Sequence, residues 1–199
     1  MKNKPIIIVG ASATGKSTIA KILNKITNYK IYSVREHYNK YLVPRYKHQN
    51  NYTHQEITRE LHHKIADWIY TNDPSAYAKQ FLVDMNPSSE AIFESFRIKG
   101  DLEYLHKNFP DALFIHLYAK KETRINRKLT AKDSLYKNKK SRKEIETLLD
   151  YEWTHFHLQE SMDYMLQIGA IMLDTTYVSV KTLELYEILN NELYKKLSK

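Results

Sequence analysis

The chain has 199 residues, 42% of them apolar and 27% charged, which is long enough to bury one full core and too apolar for a disordered polymer. It has no cysteine, only four glycines and a formal charge of +8, which excludes disulfides, thiolate chemistry and cysteine-held metal clusters. No apolar run approaches membrane-spanning length, so the expectation is a single cytoplasmic domain over 1–199 with no membrane association.

In chain order, the basic opening MKNK leads into Pro5 to Val9, a run too short for a secretory signal and well suited to a buried first strand. A second β-like run covers Tyr29 to Val34, and an irregular, tyrosine-rich stretch follows to Tyr52. Thr53 with Glu56 has capping-box spacing, and Ile57, Leu61, Ile65, Ala66 and Ile69 then share one helical face. Asp73-Pro74 reads as a cap with proline at the first helical position, opening a helix through Phe81 and Leu82. Ala91 to Phe96 is a third strand, Asp101 to Lys107 a helix, and Ala112 to Tyr118 a buried parallel strand. Helical signals return over Glu122 to Leu129. Ser141 with Glu144 forms a second capping box, whose helix carries Ile145, Leu148, Leu149, Trp153 and Phe156 toward a core. Gly169 to Leu173 is a fifth strand and Val180 to Leu197 a closing helix. Strands alternating with helices in this way predict an α/β fold with an open parallel sheet covered on both faces.

The most specific feature is Gly10-Ala11-Ser12-Ala13-Thr14-Gly15-Lys16-Ser17, followed by Thr18. It is a complete GxxxxGK[ST] pattern between a predicted strand and a predicted helix. Glycines at the two ends let successive backbone N–H groups turn inward around phosphate oxygens, and the helix places its positive end there. In this arrangement Lys16 bridges the β- and γ-phosphates, Ser17 ligates Mg²⁺ and Thr18 reaches the α-phosphate. The expected cofactors are therefore ATP and Mg²⁺. A GxGxxG dinucleotide pattern is absent, as is HExxH or other metal-binding histidine spacing.

Side chains at strand carboxyl ends come next to that loop. Glu94 has three readings there: it orients an acceptor hydroxyl, binds magnesium through water, or acts as a base. Arg97 suits an acceptor phosphate, with a structural salt bridge as its rival. Arg35 and Glu36 follow the second strand and form either acceptor contacts or an exposed ion pair. Arg124 and Arg127 follow the fourth strand, where their planar forks suit donor phosphates. The segment 120–143 holds eleven Lys and Arg residues against Glu122 and Asp133, so it accounts for the entire positive excess. It reads as a solvated face, a nucleic-acid surface or a cationic flap to which Lys128, Lys132, Lys137 and Arg142 also belong.

Taken together, IIIVGASATGKST, AIFESFRIKGDLEYLHKNFP, LFIHLYAKKETRINRK and IMLDTTYVSVKTLELYEIL resemble the P-loop kinases of the nucleoside and nucleotide monophosphate kinase group, including deoxynucleotide and dephospho-coenzyme A kinases. The resemblance implies a three-layer fold with a five-stranded parallel sheet and a helical lid over about 120–143. Lys16, Glu94, Arg97, Arg124 and Arg127 would be the catalytic set, and Arg35, Glu36 and Arg97 would bind the acceptor. Where that family commonly has Asp-Gly-Ile-Arg, this chain has Glu94-Ser95-Phe96-Arg97. Asp174 and Thr175 fall on the adenine-side loop, as nucleotide contacts or as turn caps. The implied reaction is ATP-dependent phosphoryl transfer to a small nucleotide or nucleoside, with a deoxynucleoside monophosphate leading. Dephospho-coenzyme A, a hydroxyl on modified DNA and a non-kinase ATPase switch are the alternatives.

Overall fold

A computed structural model of the protein describes residues 4–53, 56–131 and 141–177. Five strands, β1 (Ile6–Gly10), β2 (Lys30–Ser33), β3 (Ala91–Phe96), β4 (Leu113–Tyr118) and β5 (Ile171–Asp174), pair in parallel in the order β2-β3-β1-β4-β5. β1 is central and wholly buried, as its uninterrupted Ile-Ile-Ile-Val run requires. Alternate residues feed opposite faces. Ile6 and Ile8 pack with Ile19, Ala20 and Leu23 of α1 (Lys16–Thr27), whereas Ile7 and Val9 enter the larger core on the other side. That larger core is built by α4 (Arg59–Tyr70), α5 (Ala76–Met85), α6 (Lys99–Asn108) and α9 (Leu158–Gln167). Its centre is aromatic: Phe81 meets Phe93 and Phe96 edge-on, with centroids at 5.7 and 5.0 Å. α7 (Lys121–Thr130) and α8 (Arg142–His155) join through a small cluster of Ile125, Ile145 and Leu149. No helix among the described residues is long and apolar enough to cross a membrane.

The sheet order places a switch point at β1, because the chain reaches β2 by passing β3 and then crosses to β4 on the other side. A crevice therefore opens at the carboxyl ends of β1, β3 and β4. One irregularity shapes it. The β1–β3 register shifts between Ile8 and Val9, so that Ile8 pairs with Glu94 but Val9 with Phe96. Ser95 is the extra residue and has φ 84°. An inserted residue reverses the side-chain alternation, so Phe96 joins Phe93 in the larger core.

Several boundaries differ from the sequence expectation. α4 begins at Arg59 and is capped by Thr58, which accepts from Leu61 N at 3.1 Å; Thr53 and Glu56 lie before it. α5 starts after Ser75, two residues past Asp73-Pro74, because the Asp73 carboxylate accepts from Ser75 N and Oγ at 2.8 and 2.7 Å and makes a turn there. The tyrosine-rich stretch is helical rather than irregular: α2 (Val34–His37) passes through a π-helical turn, Tyr38–Leu42, into α3 (Val43–Gln49). Its buried residues are His37, Tyr38, Leu42 and Val43, a five-residue repeat that a 3.6-residue search does not match. The Ser141/Glu144 capping box is present, but Trp153 is exposed and Glu152 occupies the buried position instead. α9 is a helix that periodicity did not separate from α8. The predicted closing helix, Val180 to Leu197, lies outside the described residues.

Candidate active site

The loop after β1 runs from Gly10 to Gly15 and delivers the chain into α1 at Lys16. Gly10 has φ 136°, and a Cβ there would fall 2.2 Å from Leu117 O on β4. Ala13 and Gly15 also take positive φ, 63° and 93°. These left-handed steps curl the loop and turn its N–H groups toward the N-terminal end of α1, whose first turn carries amides without intrahelical partners. Thr14 Oγ1 braces the curl by donating to Ala11 O at 2.9 Å. Lys16 folds back over it, Nζ donating to Ala11 O at 2.6 Å. Burial holds its ammonium well below the usual lysine range, and the Arg97 guanidinium pushes the same way.

Ser17 Oγ donates to Glu94 Oε1 at 2.5 Å, and Ser95 Oγ donates to the same oxygen at 3.1 Å. Glu94 shares the face of β3 on which Ile92 packs toward α1, so ordinary strand alternation presents a carboxylate to the first turn of that helix. A hydroxyl beside a carboxylate is an oxygen-only donor set suited to a hard cation such as Mg²⁺. From the opposite side α7 grips the loop: Arg124 Nε donates to Ser12 O at 2.9 Å and Arg127 Nη1 to Ala13 O at 3.1 Å. Arg127 also reaches Thr175, whose Oγ1 donates to Thr14 O at 2.9 Å. Arg124 is 4% exposed, and its Nη2 has no hydrogen-bond partner among the described residues.

A cavity of about 560 Å³ opens beside Lys16, Ser17 and Thr18. Tyr38, Tyr70, Tyr77, Phe96 and Phe156 line it, with His62 and His63 along α4. Glu94, Arg35, Arg97 and Arg127 are among its charged residues. A smaller cavity of about 210 Å³ lies behind the loop and is lined by Arg97, His116 and Arg124.

Most predicted residues therefore converge. Gly15, Lys16, Ser17, Thr18, Glu94, Arg97 and Arg127 meet at the larger cavity with Ser12 and Ala13, while Gly10, Ala11, Thr14 and Arg124 border the smaller one. Arg35 is exposed at the rim of the larger cavity. Glu36 is exposed and does not line it. Asp174 is exposed and caps the next turn, accepting from Thr176 N at 2.8 Å. Lys132 and Lys137 lie outside the described residues.

Three residues at the site were not singled out from sequence. Asp101, 1% exposed, accepts from Tyr70 OH and from Ala78 N in the first turn of α5; a lone acid at a helix start gives no signal for a partner on another helix. His116 sits on buried β4 next to Val9, where a polar residue in an apolar strand was the available clue. Glu152 falls on the stripe of Ile145 and Leu149 at i, i+4 and i+7, so a charge on the buried face was legible.

Residues 6–149 match the family model described as AAA domain. The chain belongs to that family. No curated protein matches it. Among solved structures it is similar to shikimate kinase from Bacteroides thetaiotaomicron, at 10% identity over 98% of this chain and 99% of that chain with TM-score 0.52. It is also similar to a protein from Thermus thermophilus, at 15% identity over 96% and 97% with TM-score 0.57, and to a gluconokinase from Sinorhizobium meliloti, at 13% over 98% and 97% with TM-score 0.53. At such identities the likeness is one of fold: the five-stranded parallel sheet with flanking helices is the three-layer P-loop kinase architecture. It does not single out the nucleoside monophosphate kinases within it.

Proposed function

We propose that the protein is an ATP- and Mg²⁺-dependent kinase that transfers the γ-phosphoryl group to a small nucleotide, a deoxynucleoside monophosphate being the preferred acceptor. The observation that carries this reading is the larger cavity. It starts at Lys16 and Ser17 and continues between aromatic rings, with Arg35 and Arg97 at its edge. Rings suit the faces of a base, and guanidinium forks suit its phosphate.

In this reading the phosphate loop cradles the donor, and Lys16 moves from Ala11 O onto the β- and γ-phosphates. Burial, with the Arg97 charge behind it, lowers its pKa, and a polyphosphate supplies the negative charge that favours its ammonium form. Ser17 and Glu94 would hold Mg²⁺, which when bound neutralises β- and γ-phosphate oxygens. Arg97 draws the acceptor phosphate toward the loop. Arg127, and Arg124 behind it, favour charge spreading over the transferred group. The bond from the γ-phosphorus to the bridging oxygen breaks, its electrons remain on ADP, and an acceptor phosphate oxygen forms the new bond. Segment 120–143 acts as a cationic lid within the single domain. The support for that is the placement of Arg127, Lys128 and Ala131, at the end of α7, on the cavity wall; residues 132–140 lie outside the described ones.

The test is incubation with ATP, Mg²⁺ and a panel of deoxynucleoside monophosphates, nucleosides, dephospho-coenzyme A, shikimate, gluconate and single-stranded DNA, resolving phosphorylated product from free phosphate. A deoxynucleoside diphosphate as main product supports the proposal. Turnover confined to another acceptor reassigns the cavity, and hydrolysis without any acceptor overturns the kinase reading. Lys16→Ala is expected to lower transfer at least about 100-fold; wild-type transfer in that variant would refute the role of the loop.

A further inference from the structure

Glu152, on the last turn of α8, is completely buried. A carboxylate out of water is costly unless cations compensate it. Its Oε2 lies 3.6 Å from Arg97 Nη1. Its charge also bears on Lys16 and Arg124, opposing in both the downward pull of burial on the pKa. The same stretch of chain holds Arg97 at two further points. Ser161 of α9 donates to Arg97 O, and the Phe156 ring faces the guanidinium at 6.0 Å. At 3.6 Å the ion pair is longer than a charge-assisted hydrogen bond, so the carboxylate acts on the guanidinium mainly through its charge. Three cations at the phosphate loop thus share a buried acid from α8, while Glu94 serves the opposite side through Ser17.

We propose that Glu152 is a positioning residue for phosphoryl transfer, its carboxylate fixing the Arg97 guanidinium between the acceptor cavity and the phosphate loop. This rests on the kinase reading above. Glu152 exchanges no proton and forms no bond in the reaction. It contributes orientation and charge balance: with Lys16, Arg97 and Arg124 facing Glu94 and Glu152, neutralising Glu152 leaves the cluster more positive. Binding of a polyanionic nucleotide then stays as tight or tightens, while transfer slows because Arg97 has lost its anchor. A residue needed only for folding produces no such split.

The experiment compares wild type, Glu152→Gln, Glu152→Asp, Arg97→Met and the Glu152→Gln/Arg97→Met double variant. It measures kcat and KM for both substrates, ATP affinity by calorimetry and the melting temperature. The expected result is a 10- to 100-fold lower kcat in Glu152→Gln with ATP affinity unchanged or higher. Glu152→Asp, which keeps the charge one methylene short, should fall in between, and the double variant should be no slower than Arg97→Met alone. Wild-type kcat in Glu152→Gln, or multiplying effects in the double variant, overturns the role. If Glu152→Gln fails to fold, Glu152→Asp decides: a reduced kcat with unchanged ATP affinity supports the role, and wild-type kcat overturns it. A wild type that phosphorylates nothing in the panel overturns the kinase reading and this role with it, whereas an active wild type beside an unaffected variant overturns this role alone.

Discussion

At Gly10 the constraint comes from a neighbouring strand as much as from any ligand. Its φ of 136° and the 2.2 Å approach that a Cβ would make to Leu117 O both exclude a side chain. Gly10→Ala is expected to destabilise the fold by about 2–6 kcal/mol, since strained φ and overpacking each cost about 1–3 kcal/mol. Gly169→Ala provides the control, because φ is also positive but nothing lies within 4 Å of the added Cβ; about 1 kcal/mol is expected. Urea melts of the two variants measure the difference, and equal losses would show that the contact with β4 contributes nothing. The phosphate loop was legible because its geometry depends on residues adjacent in sequence. Glu94 was legible as an acid at a strand end, but its bond to Ser17 depends on how α1 packs on the face it shares with Ile92. Glu152 was missed in favour of Trp153 because apolarity guided the choice of face, and burial of a carboxylate requires cations that come from three other segments.

Among the elements, capping-box spacing marked the start of one helix and misplaced that of another. Ser141 and Glu144 satisfy each other within one turn, so their spacing suffices. For α4 the same spacing at Thr53 and Glu56 misled, since Thr58 accepts from Leu61 N. Thr58→Ala is therefore expected to cost about 1 kcal/mol and Thr53→Ala less than about 0.5 kcal/mol, read as shifts in melting midpoint; the reverse order would move the cap back to Thr53. The π-helical turn at Tyr38–Leu42 widens the repeat of buried residues, putting Tyr38 on the cavity and His37 against Tyr77 and Asp84, at 3.2 and 2.9 Å. A helix-period search has no means to find that turn, because its partners arrive from α5.

For the whole molecule, charge is less one-sided than the linear count suggests. Lys121 of α7 pairs with Glu146 and Asp150 of α8, and Arg142 of α8 with Glu122 of α7, so cations at both ends of the basic segment are held by acids of the facing helix. Such exposed pairs add little to stability because solvent screens them, and their larger effect is to tie α7 to α8. Buried titrating groups set the pH response. Burial, aided by the charge of Lys16, lowers the pKa of His116 from 6.5 to about 4. The unfolded chain therefore binds more protons there, and the stability present above about pH 6.5 is lost as pH falls through 4. Burial raises Asp101 from 3.8 to about 7 against hydrogen bonds from Tyr70 and Ala78; its contribution is present below 3.8 and lost as pH rises through 7. The two slopes oppose each other in the wild type. His116→Asn should recover up to about 3 kcal/mol of the acid loss between pH 7 and 4, and Asp101→Asn should remove the decline toward pH 7. Denaturation midpoints across pH 4 to 8 test both, and variant profiles parallel to wild type would refute the assignments.

By itself the sequence determined the phosphate loop, the five strands in chain order and the parallel α/β class, because these follow from contiguous residues and from periodicity along one element. Tertiary structure alone decided the register shift that turns Phe96 into the larger core, the aromatic walls of the larger cavity, and the sharing of Glu152 among Lys16, Arg97 and Arg124. Those features depend on distances between segments far apart in the chain, and on burial, which sets the energy of a charge only after the surrounding elements have packed.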